Sequence, residues 1–170
     1  MPKKKPAIPL KSKLTATFIV VAFSVLLDQF TKALALQHLR GKPGHSFLWD
    51  SIRLEYAENT GAFLSLGANL DPKMRTLLFV IGVFFIIGFC VLWLVRTAHN
   101  WVTVISLAFV ISGGVGNLID RVSRGSVVDF LYFGIGPLHT GVLNVADMAI
   151  TGGLLVMLYE QYWLERKRGA

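Results

Sequence analysis

The chain has 170 residues, of which 54% are hydrophobic and only 16% are charged, whereas soluble domains average about 45–50% and about 25%. This composition excludes a disordered chain and argues against a water-soluble globule, and the single cysteine excludes a disulfide framework or a multi-cysteine metal site. The net charge of +7 comes largely from Lys and Arg residues that flank apolar runs, as in membrane proteins, so we expect no nucleic-acid partner.

Apolar stretches predict four membrane-spanning helices within a single domain that covers residues 1–170. The two central stretches each hold about 20 residues or more without a charge, which is enough to cross ~30 Å of hydrocarbon. The first and last stretches are interrupted by ionisable residues. The spans are predicted at about 14–36, 74–95, 99–121 and 144–164.

The amino terminus also has features of a cleavable signal peptide. A Lys-rich start and an apolar run precede Ala33-Leu34-Ala35, which fits the A-x-A cleavage pattern. Asp28 and Lys32 lie where a signal peptide carries small neutral residues. We therefore interpret this run as a retained span.

Both termini are predicted on the cytoplasmic side. In this orientation the cytoplasmic side carries more Lys and Arg than the outer side, and the dense amino-terminal tail contributes most to the difference. Segments of about 37–72 and 122–143 then lie outside. An interfacial belt on the cytoplasmic side would consist of Trp93, Trp101, Tyr162 and Trp163.

The first outer segment has the pattern of a small β-structure. Apolar and charged residues alternate from Ile52 to Tyr56, which predicts a half-buried strand. The preceding Phe47, Leu48 and Trp49 add apolar surface that we expect to rest on the bilayer. The predicted fold is an all-α membrane protein of four transmembrane helices, with a small β-containing extracytoplasmic loop on the membrane surface.

Ionisable and amide groups inside spans are costly, so each suggests a function. Asp28 lies about 14 residues along the first span, roughly 21 Å from its inner end, and Lys32 shares its helix face. An ion pair that merely holds the helix at the membrane edge is an equally open interpretation. In the third span, glycines favour close helix packing, but packing explains less well why Asn117 and Arg121 project from one face.

Asp129 and Asp147 both fall at the outer ends of spans. Asn144 and Asp147 also fit an N-cap and N3 pair, so Asp147 could be a helix cap alone, an explanation that Asp129 lacks. Two carboxylates in close contact share a proton, so one can activate water while the other polarises a carbonyl. That chemistry is typical of aspartic peptidases, and no serine-hydrolase motif, P-loop or histidine metal spacing competes with it.

Five motifs together resemble the lipoprotein signal peptidase (signal peptidase II) family of bacterial inner membranes. The resemblance covers nearly the whole chain, from about Leu14 to Trp163. The motifs, in chain order, are Asp28 to Lys32, Asn59 to Ala62, Gly113 to Arg121, Val127 to Phe130, and Asn144 to Asp147.

The resemblance implies a metal-free and cofactor-free aspartic endopeptidase of the bacterial inner membrane, with its active site at the extracytoplasmic face. It would remove the signal peptide from diacylglyceryl-modified prolipoproteins, cutting just before the lipidated cysteine. Implied partners are these precursors, membrane lipids and globomycin-type inhibitors. Asp129 and Asp147 match the catalytic pair. Supporting or substrate-facing positions are matched by Asp28, Lys32, Asn59, Gly61, Asn117, Arg121 and Asn144.

Two positions depart from the family pattern. Leu143 stands where the family usually has Phe, and Phe63 directly follows Gly61-Ala62 where a second Ala is usual. Neither departure touches the two aspartates.

Two other function classes remain as alternatives. A small proton-coupled transporter or channel subunit would carry acids at several depths, whereas Asp28, Asp129 and Asp147 are inferred to lie at one depth. A non-catalytic scaffold would keep full function with Asn at positions 129 and 147.

Overall fold

The computed structural model describes residues 8–61, 70–96 and 100–168. The Lys-rich tail before residue 8, and Ala62 and Phe63 of the second motif, lie outside the described residues. Three of the long helices in the described ranges are long and apolar enough to cross a membrane, and the fourth has a polar carboxyl-terminal half. The helices are α1 (Leu10–His38), α2 (Pro72–Arg96), α3 (Trp101–Arg124) and α4 (Val145–Arg168).

Helix α3 is the centre of the bundle and packs against the other three helices. It begins at Asn100, whose side chain accepts a hydrogen bond from the Thr103 N–H at 2.8 Å, and ends at Gly125 in a left-handed conformation. A Cβ atom on Gly113 would overlap the Ala146 carbonyl, and one on Gly153 would overlap the Ser106 carbonyl. The prediction that glycines permit close helix contact is therefore confirmed.

The outer surface of the bundle is apolar. On α1, the side chains of Phe18, Phe23 and Leu26 are 69–73% exposed, and α2 carries a similar surface. Exposed apolar area on this scale is unfavourable in water and suits a lipid environment. The arrangement agrees with the predicted multi-pass membrane fold.

A four-stranded antiparallel sheet lies at one end of the bundle. Its strands follow the order β1 (His45–Phe47), β2 (Ile52–Asn59), β3 (Val127–Ile135) and β4 (Leu138–His139). The strand predicted from Ile52 is confirmed, but no strand was predicted in the second outer segment, which supplies β3 and β4. The first four residues of β3 are all buried, so the alternating pattern that reveals a half-exposed strand is absent there.

The sheet packs on the carboxyl-terminal end of α1. Ala35 and Leu39 of the helix form one buried cluster with Val128 and Phe130 of β3. The pairing of β2 with β3 shifts register between Leu54 and Ala57. This irregularity places Ala57 opposite Asp129, and such bulges often redirect strands beside functional sites.

The turn between β1 and β2 is exposed and conformationally unusual. Leu48, Trp49 and Asp50 all have positive φ angles, and Trp49 is 99% exposed. Hydrogen bonds from Ser46 and Arg53 to the Asp50 carboxylate hold the turn and lower the pKa of Asp50, the one from Arg53 most strongly. Contact of this turn with the bilayer stays a prediction.

Candidate active site

Asp129 and Asp147 approach one another from different elements, Asp129 from β3 and Asp147 from the first turn of α4. Asn144 contacts both. Its side-chain amide donates to Asp129 Oδ1 at 2.6 Å, while its Oδ1 accepts from the Asp147 N–H at 2.9 Å. The Asn144 N–H in turn donates to Asp147 Oδ2 at 3.2 Å, which completes a reciprocal cap. Asp147 is thus the helix cap that its spacing suggested and also the neighbour of Asp129.

The hydrogen bonds of the Asn117 side chain explain why an amide lies inside a predicted membrane span. Its Nδ2 donates to Asp147 Oδ1 at 2.7 Å. Its Oδ1 accepts from Asn144 at 3.2 Å and from the Lys32 ammonium at 3.0 Å. Asn117 therefore fixes Asp147 and links the two aspartates to a buried cation.

That cation belongs to a buried group of three charges, Asp28, Lys32 and Asp120, called here the Lys32 cluster. Lys32 Nζ lies 2.9 Å from a carboxylate oxygen of each acid, and all three side chains are at most 2% exposed. Asp28 Oδ1 accepts from the Ala146 N–H at 2.9 Å, and Asp120 Oδ2 accepts from the Val128 N–H at 3.2 Å. The two acids therefore hold the backbone of the residues that directly precede Asp147 and Asp129.

Two members of this arrangement were not assigned from the sequence. Asp120 lies within the glycine-rich motif, and the motif by itself suggests no role for it. A signal was present, because Asp120 follows Asn117 by three residues on α3, a spacing that places the two side chains close together. Gln29 was also left without a role. Its side-chain amide donates to Asp28 Oδ2 at 3.1 Å and lies 3.4 Å from Asp120 Oδ1.

Asn59, Gly61 and Arg121 lie around the aspartates. Asn59 ends β2, its Oδ1 accepts from the Gly61 N–H at 2.9 Å, and its side chain also hydrogen-bonds to Asp129. Gly61 has a φ of +97°, and a Cβ there would overlap the Phe79 ring. The Arg121 guanidinium lies 5.7 Å from the centre of the same ring. Every site residue predicted from the sequence is thus in or beside one polar assembly.

The electrostatics of Asp129 suit proton sharing. Burial, followed by the negative charge of Asp147, raises the pKa of Asp129 to about 6. Hydrogen bonds from Asn144 and Asn59 and the positive charge of Lys32 oppose this rise. Among the described residues, no three His, Cys, Asp or Glu side chains are grouped to hold a metal ion.

Comparison with known proteins gives consistent results. The family model described as Signal peptidase (SPase) II matches residues 20–163. A lipoprotein signal peptidase of Borrelia turicatae is 34% identical over 159 residues, which cover 89% of this chain and 93% of the relative. One from Caldanaerobacter subterraneus subsp. tengcongensis is 35% identical over 142 residues, covering 83% and 92%.

Solved structures support the fold. A bacterial membrane enzyme structure superposes with a TM-score of 0.76 at 24% sequence identity, covering 85% of this chain and 91% of that one. A second structure of the same description gives a TM-score of 0.75 at 24% identity, covering 86% and 87%. The four helices and the small sheet are therefore a known arrangement.

Proposed function

Because the chain belongs to the signal peptidase II family, we propose that Asp129 and Asp147 are its catalytic pair. Family membership makes the protein a lipoprotein signal peptidase, an aspartic peptidase of bacterial membranes, and replaces the transporter and scaffold alternatives. The observation that supports the residue assignment is the Asn144 side chain, which hydrogen-bonds to both aspartates. Asp147 also raises the pKa of Asp129 through its charge.

The proposed reaction uses one proton shared by the pair. The ionised carboxylate removes a proton from a water molecule, whose oxygen attacks the carbonyl carbon of the scissile peptide bond. The protonated carboxyl group donates its proton to the carbonyl oxygen, giving a tetrahedral diol. As the diol collapses, one carboxyl group protonates the leaving amide nitrogen. The carbon–nitrogen bond then breaks while the other carboxylate removes a proton from a diol hydroxyl, so the pair again holds a single proton.

The family implies prolipoprotein substrates, and we further propose that the enzyme recognises the diacylglyceryl group and cleaves just before the modified cysteine. Globomycin-type inhibitors would occupy the same site. The pair lies at the end of the bundle that carries the sheet, whereas Trp93 and Trp101 mark the other end. With the Lys-rich tail on the cytoplasmic side, this geometry supports an extracytoplasmic active site and two cytoplasmic termini.

Lipid specificity is tested with the purified protein in detergent, with cleavage followed as a mass shift. We expect the wild type to cleave a diacylglyceryl-modified precursor at least about tenfold faster than the unmodified one. Arg121→Ala should reduce this preference, because Arg121 lies beside the pair at the outer end of α3. Arg96→Ala, at the opposite end of the bundle, is the matched control. The role of Arg121 is rejected if its replacement leaves the ratio of the two cleavage rates unchanged.

The pH profile tests the proton on Asp129. Asn59→Ala should raise the pKa of Asp129 further, because the Asn59 hydrogen bond favours the ionised form. The singly protonated pair then persists to higher pH, so the alkaline limb of kcat/KM should move to higher pH. Asn100→Ala, which removes a helix cap at the other end of α3, should leave the limb in place. A limb that stays fixed or moves to lower pH in Asn59→Ala would contradict this electrostatic assignment.

A further inference from the structure

A cavity with several cationic side chains in its wall lies between the beginning of α2 and the end of α3. It has a volume of about 610 Å³, and four cationic side chains line it: Lys73, Arg75, Arg121 and Arg124. The Thr76 hydroxyl lies 3.4 Å from the Gly125 carbonyl oxygen, which joins the two helices at this level. We refer to this cavity as the basic pocket.

The positive charge of the basic pocket is poorly compensated. Among the described residues, Lys73 and Arg75 have no ion-pair partner, and Arg75 Nε is buried without a hydrogen-bond partner. Arg124 has a long contact, 3.7 Å, to Asp120, which already pairs with Lys32. A buried guanidinium nitrogen without an acceptor is costly, and an anion in the pocket would supply one.

Glu58, the single acid among the described residues that line the pocket, does not neutralise it. The Glu58 carboxylate accepts from the Tyr56 hydroxyl at 2.6 Å and from Arg40 at 3.3 Å. An anion that entered the pocket would therefore meet a cationic surface. Arginine and lysine in such groups bind phosphate oxygens through short charge-assisted hydrogen bonds.

The remaining wall of the pocket is apolar and points to an amphiphile. Leu77 and Val80 of α2 lie two and five residues after Arg75. Val122 of α3 directly follows Arg121 and is 70% exposed. Charged groups at the ends of membrane helices lie at headgroup level, and their apolar neighbours lie at acyl-chain level. A cationic wall with an apolar wall beside it matches a lipid that has a phosphate headgroup and acyl chains.

We propose that the basic pocket binds the phosphate group of a membrane phospholipid. This ligand differs from the lipid on the proposed substrate, because a diacylglyceryl group carries no phosphate. The pocket is thus a second lipid site beside the catalytic pair. The proposal rests on the cavity and on Lys73 and Arg75, which have no ion-pair partner among the described residues. It therefore stands or fails independently of the roles of Asp129 and Asp147.

The test measures binding of a soluble phospholipid to the purified protein in an uncharged detergent. Dihexanoyl phosphatidylglycerol is titrated, and binding is followed by the rise in thermal unfolding temperature. Lys73→Gln/Arg75→Gln should weaken the apparent affinity by about tenfold or more, since two charged contacts are lost. Lys11→Gln/Lys42→Gln removes the same charge from exposed positions outside the pocket and should bind like the wild type.

Two further arms identify the ligand. Uncharged dihexanoylglycerol should bind much more weakly than the phospholipid, and added NaCl should weaken phospholipid binding to the wild type. Inorganic phosphate should bind much more weakly as well, because it lacks the acyl chains. The proposal is overturned if inorganic phosphate binds as tightly as the lipid, or if Lys73→Gln/Arg75→Gln binds like the wild type. If the double variant does not fold, the single variant Lys73→Gln, at an exposed position, replaces it in the comparison with the wild type.

Discussion

Replacing either aspartate of the proposed catalytic pair by asparagine is expected to abolish cleavage of the lipidated precursor. For Asp129→Asn and Asp147→Asn we expect kcat/KM to fall by at least about 1,000-fold each, as when one member of a catalytic unit is removed. An amide neither accepts the proton of the attacking water nor delivers one to the carbonyl oxygen. Asparagine has nearly the shape of aspartate, and at position 129 its Oδ1 still accepts the hydrogen bond from Asn144. Cleavage is measured as the mass shift of the precursor.

The thermal stability of Asp129→Asn shows whether a loss of cleavage comes from lost chemistry or from lost folding. The folded-state pKa of about 6 lies above the ordinary 3.8, so the native protein binds the proton more tightly than the unfolded chain. Folding stability is therefore lost as pH rises from about 3.8 to about 6. Asparagine has no proton to lose, so Asp129→Asn should unfold at a higher temperature than the wild type at pH 8.

An exposed acid on the same sheet provides the control. Asp50→Asn removes a carboxylate from the β1–β2 turn, and its cleavage rate should equal that of the wild type. Substantial cleavage by Asp147→Asn would reduce Asp147 to the helix cap that its spacing with Asn144 also allows. Substantial cleavage by Asp129→Asn would remove the basis for the peptidase mechanism.

Features that depend on neighbouring residues in the chain were predictable from the sequence. The two central spans follow from uncharged runs, and the strand in the first outer segment follows from alternation. The pairing of Asp28 with Lys32 follows from the four-residue spacing on α1. The same is true of the cap formed by Asn144 and Asp147, which is complete within one helical turn.

Features that depend on distant residues were not predictable in the same way. The hydrogen bond from Lys32 to Asn117 joins residues 85 positions apart, and the one from Ala146 to Asp28 joins residues 118 apart. The first half of β3 is buried on both faces, with Val128 and Phe130 packed against α1, so its own sequence shows no alternation. The role of Asp120 arises from two such contacts, with Lys32 and with the backbone of β3.

Removing the buried cation of the Lys32 cluster is expected to damage folding and catalysis together. Lys32→Met leaves Asp28 and Asp120 buried, similarly charged and without their shared partner. Breaking a buried ion pair in this way typically costs about 3–5 kcal/mol of folding free energy. Activity should fall as well, because both acids hold the backbone directly before Asp129 and Asp147, the proposed catalytic pair, and Asn117 loses a hydrogen-bond donor. Unfolding temperature and kcat/KM on the lipidated precursor measure the two effects.

A control variant and a compensating variant test whether the effect of Lys32→Met comes from its lost ion pairs or from the loss of any buried lysine. Lys13 lies on the same helix and is also buried, but its described contact is a long one, 3.4 Å, to the Leu94 carbonyl oxygen. Lys13→Met should therefore change stability and activity much less than Lys32→Met. Adding Asp28→Asn and Asp120→Asn to Lys32→Met removes the unpaired charges but keeps oxygen acceptors for Ala146 and Val128, so stability should largely return. The role of charge pairing is rejected if Lys32→Met lowers stability and activity no more than Lys13→Met does. It is also rejected if the triple variant is no more stable than Lys32→Met. In either case the Lys32 ion pairs do not hold Asp129 and Asp147 in place.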